Sequence, residues 1–192
     1  MTIKASFETA RLSLSLVREA DRENLIALER DPETMRFLNG GQRNPDDRAE
    51  DSAGFLKPRG GEDDVWAAVE TRSGAFVGWF SLRHVDDGIG ELGFRLRRAA
   101  WGRGLASEGA IALVAMGFAD QDLSRIVATT MAVNTASRRV MEKTGLTHVR
   151  TVYPSWPNPL PGSELGEVEY EITRQGWEAK NPWSSCRATA PM

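Results

Sequence analysis

The sequence predicts a single α+β domain, α/β in its second half, built on a mixed, mostly antiparallel sheet of about seven strands flanked by helices. Three observations carry this. Three strand-like segments, Val65–Glu70, Phe76–Leu82 and Ile89–Leu96, are joined only by Ser73-Gly74 and Asp86-Asp87-Gly88. Links of that length make hairpins, because a parallel crossover needs a dozen residues or more. After them, helical and strand-like patterns alternate to the end of the chain. Finally, 192 residues, 41% hydrophobic and 27% charged, suit one hydrophobic core.

In order, Leu12, Leu14 and Leu16 alternate with Ser13 and Ser15 as a half-buried first strand. Asp21 offers an N-cap to a helix carrying Leu25, Ile26 and Leu28. Asp31-Pro32 opens a second helix with Met35, Phe37 and Leu38, which Asn39-Gly40-Gly41 stops. A charged helix is expected over 45–56, and Lys57-Pro58-Arg59-Gly60-Gly61 reads as a loop. The three-strand meander follows. Leu105 to Phe118 then runs without a proline, and Ile111, Leu113, Val114, Met116 and Phe118 make its second half apolar on nearly all sides, so this helix is expected to be buried. A strand over Ile126–Val133, a helix over Asn134–Thr144 ended by Gly145, and strands over Leu146–Val152 and Val168–Thr173 complete the pattern. Pro154, Pro157, Pro159 and Pro161, with Trp156, mark a rigid loop between Tyr153 and Glu167 that either covers a site or pins an aromatic ring to the core. The domain is expected to span 1–178, with 179–192 a flexible tail.

Composition excludes several classes. A formal charge of −3 leaves no footprint for nucleic acid. The basic residues Arg95, Arg97, Arg98 and Arg103 form the one local cluster. The single cysteine, Cys186, allows neither a disulfide framework nor a cysteine-based metal site, which fits a reducing compartment. No apolar run approaches the ~20 residues that span a bilayer, and the N-terminus has no signal-type core, so a cytoplasmic protein without metal or membrane contact is expected.

One stretch carries chemistry. Trp101-Gly102-Arg103-Gly104-Leu105-Ala106-Ser107-Glu108 joins a strand to a helix through two glycines separated by one residue. Glycines let backbone N–H groups converge on an anion, and a helix N-terminus adds unpaired donors and a positive dipole end, so the stretch reads as a phosphate cradle. No Gly-Lys-Ser/Thr triplet follows, which excludes the nucleotide-triphosphate loop. Gly102-Arg103-Gly104-Leu105-Ala106-Ser107, with Asp120 and Asp122 beyond it, half-matches a dinucleotide fingerprint, but that motif requires a parallel βαβ unit and the preceding strands read as hairpins.

The second motif is Asn134-Thr135-Ala136-Ser137-Arg138-Arg139-Val140-Met141-Glu142-Lys143-Thr144-Gly145-Leu146. Together the two segments resemble the GCN5-related N-acetyltransferases, in particular the branch of the ribosomal-protein alanine acetyltransferases. Glu8-Thr9-Ala10-Arg11-Leu12, the stretch from Asp31 to Leu38, Glu91-Leu92-Gly93-Phe94 and the stretch from Tyr170 to Trp177 look like the same branch. The resemblance implies acetyl-CoA as co-substrate, its pyrophosphate on a turn whose motif positions are Trp101, Gly104 and Ala106. Trp101 stands where the pattern has glutamine or arginine. It also implies a sheet splayed at the acetyl-CoA site, bordered by Phe94, Arg95 and Leu96, with Trp101, Gly102, Arg103, Gly104, Leu105, Ala106, Asn134, Ser137 and Arg139 as cofactor-binding residues. Direct transfer to a primary amine, either a small-molecule amine or a protein N-terminus, follows, with the protein a monomer or homodimer.

Glu91 is the candidate base or proton relay, and Ser137 a weaker candidate acid. Many members of the family carry a tyrosine seven residues after the asparagine, where this chain has Met141, which holds no proton to give. His84 and His148 sit at strand ends, away from any nucleophile pattern. Removing a proton from a lysine costs about 4.6 kcal/mol at neutral pH against ~1 for an α-amine, so a site with one glutamate suits an amine of modest pKa. The alternatives are a CoA-binding module without transfer, and a donor with a bulkier or acidic acyl group such as succinyl-CoA, which Arg95 and Arg97 would attract.

Overall fold

The backbone hydrogen bond from Arg97 to Val77, 3.0 Å long, closes the central hairpin and fixes the register from which the sheet is built. In this computed structural model, residues 5–41, 65–120 and 122–181 are described. The helix expected over 45–56, the 57–61 loop and Cys186 lie outside them. Among the described residues, eight strands form one sheet in the order β1-β2-β3-β4-β5-β6-β8-β7. They are β1 Ser6–Glu8, β2 Leu12–Leu16, β3 Val65–Glu70, β4 Phe76–Asp86, β5 Ile89–Leu96, β6 Arg125–Met131, β7 Thr147–Val152 and β8 Glu167–Thr173. All neighbours pair antiparallel except β5 and β6. Among the described residues the α-helices are α1 Arg22–Glu29, α2 Pro32–Asn39, α3 Leu105–Asp120, α4 Thr135–Lys143 and α5 Arg174–Lys180.

The main core lies between the sheet and α3, with Leu12, Trp66, Phe80, Leu82, Leu113, Phe118, Ile126 and Tyr170 fully buried. Helix α3 packs close because Gly109 faces the Phe80 ring, which a Cβ would meet at 2.3 Å, and Gly117 faces Leu82 of β4 and Ile126 of β6. On the opposite face, Leu25 and Leu28 of α1 bury Val65, Ala67, Phe76 and Trp79 in a second, smaller cluster.

Several expectations need correction. Beyond the seven strands read from the pattern, Ser6–Glu8 pairs with β2, a three-residue edge too short to show a period. Asp21 stands at the N-cap of α1, but its carboxylate takes no N–H of that helix; it accepts from the Arg18 N–H at 2.9 Å and closes a short 3-10 turn instead. Ile111 is exposed, so α3 keeps one face in water. Residues expected only to follow the last strand form a further helix, Arg174–Lys180, capped by the Thr173 hydroxyl on Gly176 N–H. Trp156 is about half exposed (49%) rather than pinned to the core. Leu160 is the residue by which its loop reaches the end of α2, its Cδ2 lying 3.1 Å from where a Cβ on Gly40 would stand.

Candidate active site

Strands β5 and β6 run parallel but pair over only three positions, Ile89 with Arg125, Gly90 with Ile126 and Glu91 with Val127. Beyond Glu91 they part. Leu92 to Leu96 keep only β4 as a neighbour, and Ala128 to Met131 keep only β8. The gap runs for about five residues, roughly 17 Å of extended chain.

The register shows which groups face into it. The Arg97 to Val77 bond makes Leu96 and Gly78 a non-hydrogen-bonded pair, so the N–H and C=O of Phe94 and Leu96 turn away from β4 and toward the gap. The bond from Ala132 N–H to Gly166 does the same for Thr129 and Met131 on β6. At the open end each strand's last gap-facing carbonyl is closed locally. The Trp101 indole N–H donates to Leu96 C=O at 2.6 Å, and Asn134 N–H donates to Met131 C=O at 2.9 Å. Phe94 N–H and C=O and Leu96 N–H remain directed into the gap from β5, facing Thr129 N–H and C=O and Met131 N–H from β6.

The glycine turn caps this open end. A short 3-10 turn at Arg98–Ala100 leads into 101–104, and α3 begins at Leu105. Gly102 and Gly104 have φ of 71° and 78°, the left-handed region that disfavours other residues. A Cβ on Gly102 would meet nothing within 4 Å, so the turn is open to the outside. Leu105 is buried, and Ala106 packs partly against the core. Across the gap, Asn134 caps α4 by accepting Ser137 N–H at 3.2 Å, while its own amide donates to Thr130 Oγ1 at 3.1 Å. Arg138 donates to the Ala132 carbonyl and to Tyr170 Oη, fixing the loop that carries Asn134. Arg139 is exposed on α4.

Glu91, in the last pair before the strands part, stands at the vertex of the gap. Its carboxylate accepts from Arg83 of β4, directly opposite, and its side chain remains about one-fifth exposed. Met141 is buried in the core, so its position is one of packing. Both histidines are exposed, and His148 lies 3.2 Å from Thr151 Oγ1.

The four arginines expected to cluster do not. Arg95 points to the face opposite α3, where its guanidinium is only 10% exposed, pairs with Glu29 of α1 and lies 5.1 Å from the Trp79 ring centre. Burial pulls it down to about 10. Arg97 donates to the Phe76 carbonyl, Arg98 to Asp31, and Arg103 to Glu70. Arg97, Arg98 and Arg103 lie beyond the end of β5, and each of the four arginines meets a different carbonyl or carboxylate. Asp31 is held below its ordinary value chiefly by the Thr34 N–H it caps, against burial and with help from Arg98. Asp122 of the dinucleotide half-match is equally displaced. Asp122 pairs with Arg174 beyond the far end of α3, a helix of 16 residues and so about 24 Å long.

A contact invisible in the local sequence completes the site. Thr9 Oγ1 donates to Glu108 Oε1 at 2.6 Å, and Arg11 donates its backbone N–H to the same oxygen and its Nε to Oε2, both at 2.7 Å. Arg11 Nη1 also donates to the Arg103 carbonyl at 2.9 Å. Among the described residues, no three His, Cys, Asp or Glu side chains gather as a metal site, and no helix is long and apolar enough to cross a membrane.

Comparison with known proteins gives a consistent result. A family model described as an acetyltransferase (GNAT) domain matches residues 11–147. The FsC-acetyl coenzyme A-N(2)-transacetylase of Aspergillus fumigatus is 37% identical over 194 residues, covering 92% of this chain and 80% of its own. A GNAT-family acetyltransferase from Bacillus anthracis superposes with a TM-score of 0.72 at 24% identity, over 88% of this chain and 99% of that one. A spermidine N-acetyltransferase from Vibrio cholerae, solved with CoA and spermine, superposes with a TM-score of 0.69 at 13% identity, over 86% and 97%.

Proposed function

Because the chain belongs to the GNAT acetyltransferase family and is an N-acetyltransferase, we propose that it transfers acetyl from acetyl-CoA directly to the primary amine of a small molecule, an α-amine or another amine of modest pKa. The observation that carries this is the gap between β5 and β6, with unpaired backbone groups of Phe94, Leu96, Thr129 and Met131 along its walls, a glycine turn over its open end and Glu91 at its vertex.

These residues fit acetyl-CoA. The N–H groups of Gly104 to Ser107 would hold the pyrophosphate at the start of α3, and the open backbone of Phe94 and Leu96 would pair with the amides of the pantetheine arm. The donor supplies an already activated acyl thioester, so this chain need only bind, orient and move one proton. Glu91 is assigned to take that proton from the amine, directly or through water, from a position that the Arg83 pair keeps fixed. Ser137, in the first turn of α4 across the gap, is the candidate hydroxyl on the thiolate side, since Met141 is buried and has no proton to donate. Arg139 and the turn residues Gly102, Arg103, Leu105 and Ala106 complete the proposed donor contacts, Arg103 by backbone because its side chain is held by Glu70.

The name of the Aspergillus relative specifies transfer to a nitrogen, N(2), which favours an amine acceptor here. An acidic acyl donor finds less support, because Arg95 and Arg97, its proposed attractants, are engaged by Glu29 and by the Phe76 carbonyl. We place the chain near the ribosomal-protein alanine acetyltransferase branch on the motifs quoted above, with a small-molecule amine preferred to a protein N-terminus. A panel of amines incubated with acetyl-CoA, read by release of free thiol, tests the assignment. Transfer to an α-amine at least tenfold faster than to lysine side chains is expected, and the reverse order would overturn the acceptor class. Acetyl-CoA should also raise the melting temperature by mass action where NAD and NADP do not.

A further inference from the structure

We propose that Arg11 is a positioning residue of the donor site: it holds the glycine turn in the conformation that presents the Gly104 N–H to the diphosphate. The inference rests on the reading of that turn as the donor cradle. Gly102 and Gly104 make the turn intrinsically loose, since glycine loses more backbone freedom on ordering than any other residue. Something outside the turn must therefore fix it, and Arg11 meets it at two points. Its Nη1 donates to the Arg103 carbonyl at 2.9 Å, and its Nε and backbone N–H hold both oxygens of Glu108, one helical turn further on. Glu108 N–H in turn donates to the Gly104 carbonyl at 3.1 Å.

The first contact sets direction. In a trans peptide the C=O of one residue and the N–H of the next point to opposite sides of the same plane. Holding the Arg103 carbonyl toward Arg11 therefore aims the Gly104 N–H away from it, and the flank of the turn at Gly102, where a Cβ would meet nothing within 4 Å, is open. The second contact sets charge. A carboxylate in the first turn of α3 would repel a phosphate, and Arg11 neutralises it at 2.7 Å. Burial pushes the Glu108 carboxyl up, but hydrogen bonds from Thr9 and Arg11 outweigh it and hold the group below its ordinary value, so the pair is charged at neutral pH. Glu70 holds the Arg103 side chain in the same way, so backbone dipoles remain to meet the anion. A guanidinium can do this and an ammonium cannot, because its fork carries donors in fixed, divergent directions.

The test uses the full chain, CoA as probe, and two readouts: affinity by calorimetry and the backbone amide resonance of Gly104. In the wild type, CoA should move the Gly104 amide resonance strongly. Arg11→Ala should bind CoA about tenfold more weakly with that movement much reduced, while the melting temperature falls by only a few degrees. Arg11→Lys, which can hold Glu108 or the Arg103 carbonyl but not both, should fall between. A folded Arg11→Ala protein with wild-type affinity and a wild-type Gly104 response overturns the proposal, as does Arg11→Lys with wild-type affinity if the alanine variant does not fold. If the Gly104 resonance ignores CoA in the wild type and Gly104→Val binds CoA normally, the cradle reading itself is what fails.

Discussion

Trp101 and Leu96 are joined by a hydrogen bond from the indole N–H to the strand-terminal carbonyl, 2.6 Å long. The bond ties the first residue of the glycine turn to the last residue of β5, although the indole itself is nearly half exposed (47%). It also withdraws one acceptor from the gap, so a chain entering there meets Phe94 C=O before any other free carbonyl of β5. Trp101→Phe removes the donor, and water replaces it at little cost to stability, below about 1 kcal/mol. Acetyl-CoA affinity should fall about threefold. Trp101→Gln, whose side-chain amide can donate to the same carbonyl, should recover most of it, as measured by calorimetry on both variants.

Gly104→Val should weaken acetyl-CoA binding about tenfold, or roughly 1.4 kcal/mol. Space is not the obstacle, since a Cβ there would lie 3.5 Å from the Arg11 guanidinium, an ordinary contact. The obstacle is φ of 78°, which a β-branched residue avoids. Calorimetry on the folded variant decides it.

Glu91→Gln keeps an acceptor for Arg83 and removes the basic charge. Turnover should fall by tenfold to a thousandfold with little change in acetyl-CoA affinity, and the loss should shrink at high pH, where the amine is already neutral. A raised Michaelis constant for the amine with unchanged turnover at every pH would make Glu91 an anchor rather than a base.

Glu108→Gln should lower stability at pH 7 by about 1–2 kcal/mol by weakening charge-assisted bonds to Thr9 and Arg11. The Glu108 carboxyl is held below its ordinary value of 4.5. Its contribution is therefore complete above that value and is lost as pH falls through the lower, folded-state one. Thermal unfolding of wild type and variant across pH 3 to 7 should show the two converging at the acid end.

The central strands were legible because their information is local. Val65–Glu70 and Ile89–Leu96 fall where the pattern and turn chemistry put them. So do the Asp31 and Asn134 caps, each an acceptor three residues before the N–H it takes. Helix α5 was hidden because Gly176 sits in its first turn, behind residues that read as strand. The destinations of Arg95, Arg97, Arg98 and Arg103 depend on partners supplied by distant elements. The Arg11–Glu108 pair, 97 residues apart, left no trace in either segment alone.

Every antiparallel pairing in the sheet joins strands on the same side of residue 121: β1 to β5 before it, β6 to β8 after it. Only the three pairs between β5 and β6 cross that divide within the sheet. The backbone ladder that joins the two halves is therefore only three residue pairs long, and α3, which links them, packs on Leu82 of β4 before the seam and on Ile126 of β6 after it. The donor site thus lies along the short ladder that connects the second half of the sheet to the first, and a ligand bridging the two strands there acts as a clamp between the halves as well as a substrate.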